Sequence, residues 1–120
     1  MNNRRSFIIG IKSTKLSIKE KKFLQKYKPW GVILFSRNIK NINQSLELTK
    51  SIRKIFKDKH YPILIDQEGG RVNRLKNIIS FDNLTSEFFG NKFIKNLMEF
   101  HILYKLFIDK TSYLLKSIGV

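Results

Sequence analysis

A chain of 120 residues with 24 lysines and arginines against 9 acidic residues has the length of one ordinary domain and a formal charge of +15. At 42% hydrophobic and 12% aromatic it holds enough apolar mass for a packed core, which excludes a disordered tail. The absence of cysteine excludes a disulfide framework and any cysteine-ligated metal, and His60 and His101 stand in unrelated contexts, so neither a metal nor a cofactor is expected.

Met1-Asn2-Asn3-Arg4-Arg5 has the charge of a signal-peptide start, but Phe7 to Ile11 falls short of the roughly 7–15 apolar residues of an h-region. No apolar run approaches the roughly 18 residues of a membrane span. The expectation is a cytoplasmic protein with no membrane partner. Ser6-Phe7-Ile8-Ile9-Gly10-Ile11 is instead a nearly continuous apolar run, the pattern of a strand buried on both faces of a parallel sheet. Ser17-Ile18-Lys19-Glu20 fits the capping box, in which serine and glutamate satisfy each other's backbone N–H groups. It predicts a helix that turns Phe23, Leu24 and Tyr27 inward and stops before Pro29.

Gly31-Val32-Ile33-Leu34-Phe35 reads as a second strand that runs into the polar turn Ser36-Arg37-Asn38. Asn41, with Gln44 three residues on, opens a helix whose stripe is Leu48, Ile52, Ile55 and Phe56. Tyr61-Pro62-Ile63-Leu64-Ile65 is the third strand, with its proline tolerable only near the start. After a loop through about Thr85, residues 91–118 carry Phe93, Leu97, Phe100, Tyr104, Phe107, Leu114 and Ile118 at helical spacings. This predicts one long amphipathic helix, or two in line, with the stripe in the core and Gly119 as the left-handed C-terminal cap.

The resulting grammar is βαβαβα, which builds either an open doubly wound sheet or an eight-fold barrel. Three strands complete neither, so the chain reads as a piece of something larger whose free strand edges make it poorly stable alone.

The charge is uneven. Residues 1–60 carry 16 basic and 3 acidic side chains, residues 61–120 carry 8 and 6, and Lys12 to Lys28 alone holds seven lysines. Such a run can bind nucleic acid, but its aromatics, Phe23 and Tyr27, are read as the inward face of the helix rather than as base-stacking platforms. Abundant lysine, isoleucine, asparagine and phenylalanine, with no alanine, match background drift toward A/T-rich codons. No nucleic-acid partner is expected.

One segment carries chemistry. Asp66-Gln67-Glu68-Gly69-Gly70-Arg71-Val72-Asn73-Arg74-Leu75 follows directly on the third strand, and ligands of parallel α/β folds bind beyond the carboxyl ends of strands. A carboxylate accepts from two neighbouring sugar hydroxyls and a guanidinium donates to oxygen acceptors, so Asp66 and Arg74 suit joint capture of a polar ligand. The glycine pair matches neither a Walker loop nor a dinucleotide fingerprint. Equally, Asp66, Glu68, Arg71 and Arg74 could simply knit a sharp turn with ion pairs. Spacing alone also leaves open whether Asp66 and Glu68 form a glycosidase carboxylate pair.

The run Gly31-Val32-Ile33-Leu34-Phe35-Ser36-Arg37-Asn38-Ile39, followed by Asn43-Gln44, Ile52-Arg53 and the Ile65 to Leu75 block, resembles the amino-terminal part of bacterial β-N-acetylhexosaminidases of glycoside hydrolase family 3. The resemblance implies an α/β fold made of three βα units of a TIM (β/α)8 barrel, incomplete, with residues 1–120 as the N-terminal fragment of the catalytic domain. It implies hydrolysis of terminal β-linked N-acetylglucosamine from cell-wall-derived glycosides in peptidoglycan recycling, by a retaining mechanism. The substrate-binding residues it implies are Asp66, on sugar hydroxyls, and Arg74, which positions the sugar; Arg37, Glu68 and Arg71 match family positions with no ligand contact assigned. The family's aspartate nucleophile and histidine acid/base have no counterpart here, because neither histidine lies in a Lys-His-Phe-Pro-Gly-His-Gly-like context and no Ser-Asp-Asp-Leu-like segment exists. The chain therefore carries no catalytic residue, and its expected partner is an N-acetylhexosamine-containing saccharide with the remainder of the barrel missing. The alternative is a non-catalytic sugar-binding or assembly remnant that needs partner chains to complete the barrel. Phe81-Asp82-Asn83-Leu84 stands where the family usually has a proline, which sets that loop apart.

Overall fold

The computed structural model describes residues 4–120; Met1, Asn2 and Asn3, the first part of the basic start, lie outside the described residues. Three parallel strands, β1 (Arg5–Gly10), β2 (Pro29–Leu34) and β3 (Ile63–Ile65), form one sheet in the order β1-β2-β3. Val32 lies between Ile9 and Ile63 in register, and Ile33 between Gly10 and Leu64. Two helices connect the strands, α1 (Ile18–Tyr27) and α2 (Ile42–Phe56).

The capping signals are realised atom by atom. The Ser17 hydroxyl accepts from the Glu20 amide at 3.2 Å, and the Glu20 carboxylate accepts from the Ser17 amide at 2.8 Å. Burial works to raise the Glu20 carboxyl's pKa, but hydrogen bonds from the Ser17 hydroxyl and from the Lys12 and Ser17 amides outweigh it and hold it below the usual range. The helix closes at Lys28 in the left-handed region (φ 46°), and Pro29 follows as the first residue of β2. Asn41 caps α2 by accepting from the Gln44 amide at 2.9 Å.

Both connecting helices lie on one face of the sheet. Leu24 of α1 and Leu48 and Ile52 of α2 pack with Val32, Leu34 and Ile63, all buried, together with Ile11 and Tyr61. Tyr61 donates to the Pro29 carbonyl at 2.8 Å and stacks on Phe56 at 3.8 Å between ring centroids. Burial pushes its phenol up to about 12 in spite of the neighbouring Arg4 guanidinium. The opposite face, which holds Ile8, Gly10, Gly31, Ile33 and Leu64, is covered by no helix among the described residues, and Ile8 is 47% exposed. The expectation that the first strand is buried on both sides is thus corrected: β1 is an edge strand with one face packed.

The carboxyl-terminal segment also departs from expectation. Its helices begin at Ser86 rather than near residue 91; of the two expected arrangements the chain takes the pair, α3 (Ser86–Lys95) and α4 (Leu97–Ser117). Thr85 starts α3 by accepting from the Phe88 amide at 3.0 Å, a cap without the glutamate that would have announced it. Asn96 ends one helix and starts the next: its N–H donates to the Lys92 carbonyl while its side chain accepts from the Glu99 amide. The helices are not in line. Phe93 meets Phe100, and Phe89 meets both Tyr104 and Phe107, contacts possible only when the chain folds back as a hairpin.

The stripe read as core is core only at its end. Leu114 and Ile118 are buried in a second cluster with Ile39, Leu75 and Phe81, whereas Phe93, Leu97 and Tyr104 are 54%, 52% and 41% exposed. At the end of α4, Gly119 takes φ 79°, its N–H donates to the Lys116 carbonyl, and the Val120 N–H donates to the Leu115 carbonyl, which together make a Schellman motif. Thr49 and Arg53 of α2 then donate to the Ile118 and Gly119 carbonyls at 2.9 and 2.7 Å, which ties α4 to the first core.

Candidate functional site

Parallel strands end at the same edge of a sheet, so the segments after β1, β2 and β3 meet there. Asn38 holds the first two together. It is fully buried, its amide nitrogen donates to the Ile11 and Ser13 carbonyls at 3.1 and 3.0 Å, and its side-chain oxygen accepts from the Phe35 amide at 2.9 Å. Arg37 adds a third tie, donating from Nε to the Ile11 carbonyl at 3.0 Å.

Asp66 is the first residue beyond β3, with its side chain 47% exposed at this edge. Arg74 returns to it after a tight loop, and Nη2 lies 3.3 Å from Oδ2 of Asp66. Gln67 fixes that return, since its side-chain oxygen accepts from the Arg74 and Leu75 amides at 2.8 and 3.1 Å. Its amide nitrogen donates to Asn73 Oδ1 at 3.2 Å, and Asn73, 4% exposed, donates to the Ile79 carbonyl. The loop turns at Gly69 and Gly70, both at positive φ (100° and 55°). A Cβ on Gly69 would lie 2.5 Å from the Leu84 carbonyl oxygen, so the space as well as the dihedral requires glycine. The Phe81 to Leu84 segment that replaces the expected proline is a turn closed by the Leu84 N–H on the Phe81 carbonyl at 3.0 Å, and the Gly70 N–H donates to the same carbonyl.

Asp66 and Arg74, the two residues singled out from the sequence, are thus brought together. The reading in which four charges knit the turn is not what forms it: among the described residues, Glu68 and Arg71 make no ion pair, and Gln67, Asn73 and backbone bonds hold the loop. Glu68 instead borders a cleft of about 400 Å³ with Phe89, Phe93, Tyr104 and Phe107. The sequence assigns no role to Gln67, Asn38 or Asn73: each amide stands among other polar residues, and only the folded chain shows which groups it satisfies.

The pair keeps chemical capacity to spare. Only one carboxylate oxygen of Asp66 and one terminal nitrogen of Arg74 are engaged among the described residues. The remaining oxygen accepts and the remaining N–H groups donate, the complement of vicinal hydroxyls and a carbonyl or ring oxygen.

No protein-family model matches the chain. It is similar to curated bacterial proteins named β-hexosaminidase. The relative from Xanthomonas oryzae pv. oryzae is 41% identical over 69 residues, which is 58% of this chain and 20% of the relative. That from Shewanella frigidimarina is 52% identical over 46 residues, 38% of this chain and 13% of the relative. Among solved structures, NagZ from Neisseria gonorrhoeae in complex with N-trifluoroacetyl-D-glucosamine superposes with a TM-score of 0.55 at 35% identity, covering 63% of this chain and 22% of the neighbour. A glycoside hydrolase family 3 β-N-acetylglucosaminidase from a Paenibacillus species gives 0.53 at 28% identity over 62% of this chain and 15% of the neighbour. The chain spans about a fifth of the length of the first of these curated relatives.

Proposed function

We propose, from its similarity to the β-hexosaminidases and to the glycoside hydrolase family 3 β-N-acetylglucosaminidase, that this chain is the sugar-anchoring portion of a family 3 β-N-acetylhexosaminidase. In this reading Asp66 accepts from hydroxyls of a terminal N-acetylglucosamine and Arg74 donates to its oxygen acceptors. The observation that carries it is the meeting of Asp66 and Arg74 at the strand-carboxyl edge, with acceptor and donor capacity left over. The enzyme as a whole would hydrolyse terminal β-linked N-acetylglucosamine with retention, and these residues would contribute binding rather than bond cleavage. Sequential strand order with both connecting helices on one face fits the first units of a TIM barrel, as it also fits one βαβαβ half of a doubly wound sheet, and the similarity to the family 3 structures favours the barrel.

Calorimetric titration of N-acetylglucosamine into the chain tests the reading. A single sugar held by a few hydrogen bonds should bind in the millimolar range, equivalent to about 4 kcal/mol. Asp66→Ala should weaken it by about 1–3 kcal/mol, the cost of leaving a polar partner unmatched. Equal affinity in the variant returns Asp66 to a purely structural role.

The uncovered sheet face and the exposed Ile8 on edge strand β1 favour a second reading, a non-catalytic assembly unit whose partner chains complete the barrel. Discrete oligomers on size-exclusion chromatography are its requirement, and a monomer at all concentrations removes it.

A further inference from the structure

Phe35 ends the second apolar run, one residue beyond β2, and its ring lies between groups from all three strand ends. The Arg37 guanidinium carbon is 4.6 Å from its centroid and that of Arg74 is 5.3 Å away. The ring is seated on Gly10 at the end of β1: a Cβ there would stand 3.1 Å from Phe35 Cε2 and 3.2 Å from Arg37 Nη2. Its backbone is locked by buried Asn38, and Arg37 is anchored through Nε to the Ile11 carbonyl.

Arg74 has no comparable anchor. Among the described residues its single side-chain bond is the 3.3 Å contact to Asp66, and its Nε is buried without a partner. A guanidinium held so loosely by hydrogen bonds takes its plane from whatever it stacks on, and an aromatic face attracts a cation where an aliphatic side chain only fills space. We infer that Phe35 is the positioning residue of the site: its ring, fixed by Gly10, Arg37 and Asn38, sets the plane of the Arg74 guanidinium and so directs the remaining N–H groups of Arg74 beside Asp66. The inference deepens the sugar-anchoring reading and rests on it for the ligand, but the geometry it asserts is measurable without one.

The test is nuclear magnetic resonance on the isotope-labelled chain, reading the arginine side-chain protons and then titrating N-acetylglucosamine. Protons above a ring face are shifted upfield, so those of Arg37 and Arg74 should lie upfield of Arg71, which is exposed and has no aromatic contact among the described residues. Phe35→Leu should return Arg74 to the ordinary range and weaken sugar binding about tenfold, while Phe35→Tyr preserves both. Backbone amides of Val32 and Leu75 report whether the core is intact. If Phe35→Leu perturbs them, Gly10→Ala supplies the second arm, because it displaces the ring by a few tenths of an ångström and should give a smaller loss in the same direction. An Arg74 shift and an affinity that are both unchanged by Phe35→Leu overturn the inference. Ring-shifted Arg74 protons that respond to Phe35→Leu in a chain that binds no sugar uphold the positioning and defeat the sugar reading alone.

Discussion

Asp66 was legible because its position is dictated twice, by the end of an apolar strand and by an acidic residue that has no place in a core. Arg74 was legible as a donor suited to share a polar ligand with Asp66, but the contact between the two was not, since nothing in a spacing of eight residues says that a loop returns on itself. What returns it is Gln67, whose side-chain oxygen takes two successive amides, a role that depends on where the chain doubles back rather than on any local pattern. Asn38 was hidden in the same way: a polar turn residue by sequence, it is fully buried and satisfies three backbone groups from two different connections. Asn38→Leu keeps the branched shape and leaves the Ser13 carbonyl and the Phe35 amide without this partner, while the Ile11 carbonyl keeps Arg37. It should cost at least about 2 kcal/mol locally, seen as lost hydrogen-exchange protection of the Phe35 amide. Protection equal to the unmodified chain would mean that the strand ends hold together without it.

At the scale of elements, α1 and α2 were readable from their caps, and in α2 the stripe agrees with them, whereas of the three residues expected inward in α1 only Leu24 is buried and Phe23 stays exposed. The third helical segment misled because an apolar stripe records which face is buried but not what buries it. Asn96 both ends one helix and begins the next, and the aromatic residues then pack across a hairpin instead of into the sheet. Phe107 rests on Phe81 at the margin of the second core, but the buried residue of α4, Leu114, lies in its last turn, and Gly119 lets that turn seat: a Cβ there would lie 2.5 Å from Thr49 Oγ1, on a residue at φ 79°. Gly119→Ala should therefore break the Thr49 and Arg53 ties and deprotect the amides from Leu114 to Val120 against exchange, by tenfold or more, while α1 stays unchanged. Full protection in the variant would contradict that attachment.

The join between β3 and the first core carries a pH signature. Tyr61 has its phenol pushed up to about 12 by burial, against about 10 in the unfolded chain. The unfolded state thus loses its proton first, so the stability that the neutral phenol contributes is intact below pH 10 and drains away as pH rises toward 12. Thermal unfolding followed between pH 9 and 12 should show this loss in the unmodified chain and a smaller one in Tyr61→Phe. The same slope in both would assign the alkaline loss elsewhere.

For the whole molecule, the Cα radius of gyration of 16.7 Å exceeds the roughly 14 Å of a compact domain of this length, and the longest dimension is 53 Å. The excess is the α3–α4 hairpin, whose tip exposes Ile94 and Met98 at 81% and 75%. Its apolar surface, the uncovered sheet face and the free edge of β1 are what three units of a barrel would leave open, and no count of hydrophobic residues distinguishes such surface from core. The excess positive charge lies in residues 1–60, which in sequence precede both the Asp66–Leu75 loop and the hairpin.

Whether the strand-carboxyl edge holds a sugar is read by mapping amide chemical shifts as N-acetylglucosamine is added to the labelled chain. Saturable shifts concentrated in Phe35–Asn38 and Asp66–Arg74 are expected, with α1 and the hairpin tip silent. No saturable shift at that edge, or shifts confined to the Lys12 to Lys28 run, would contradict that expectation.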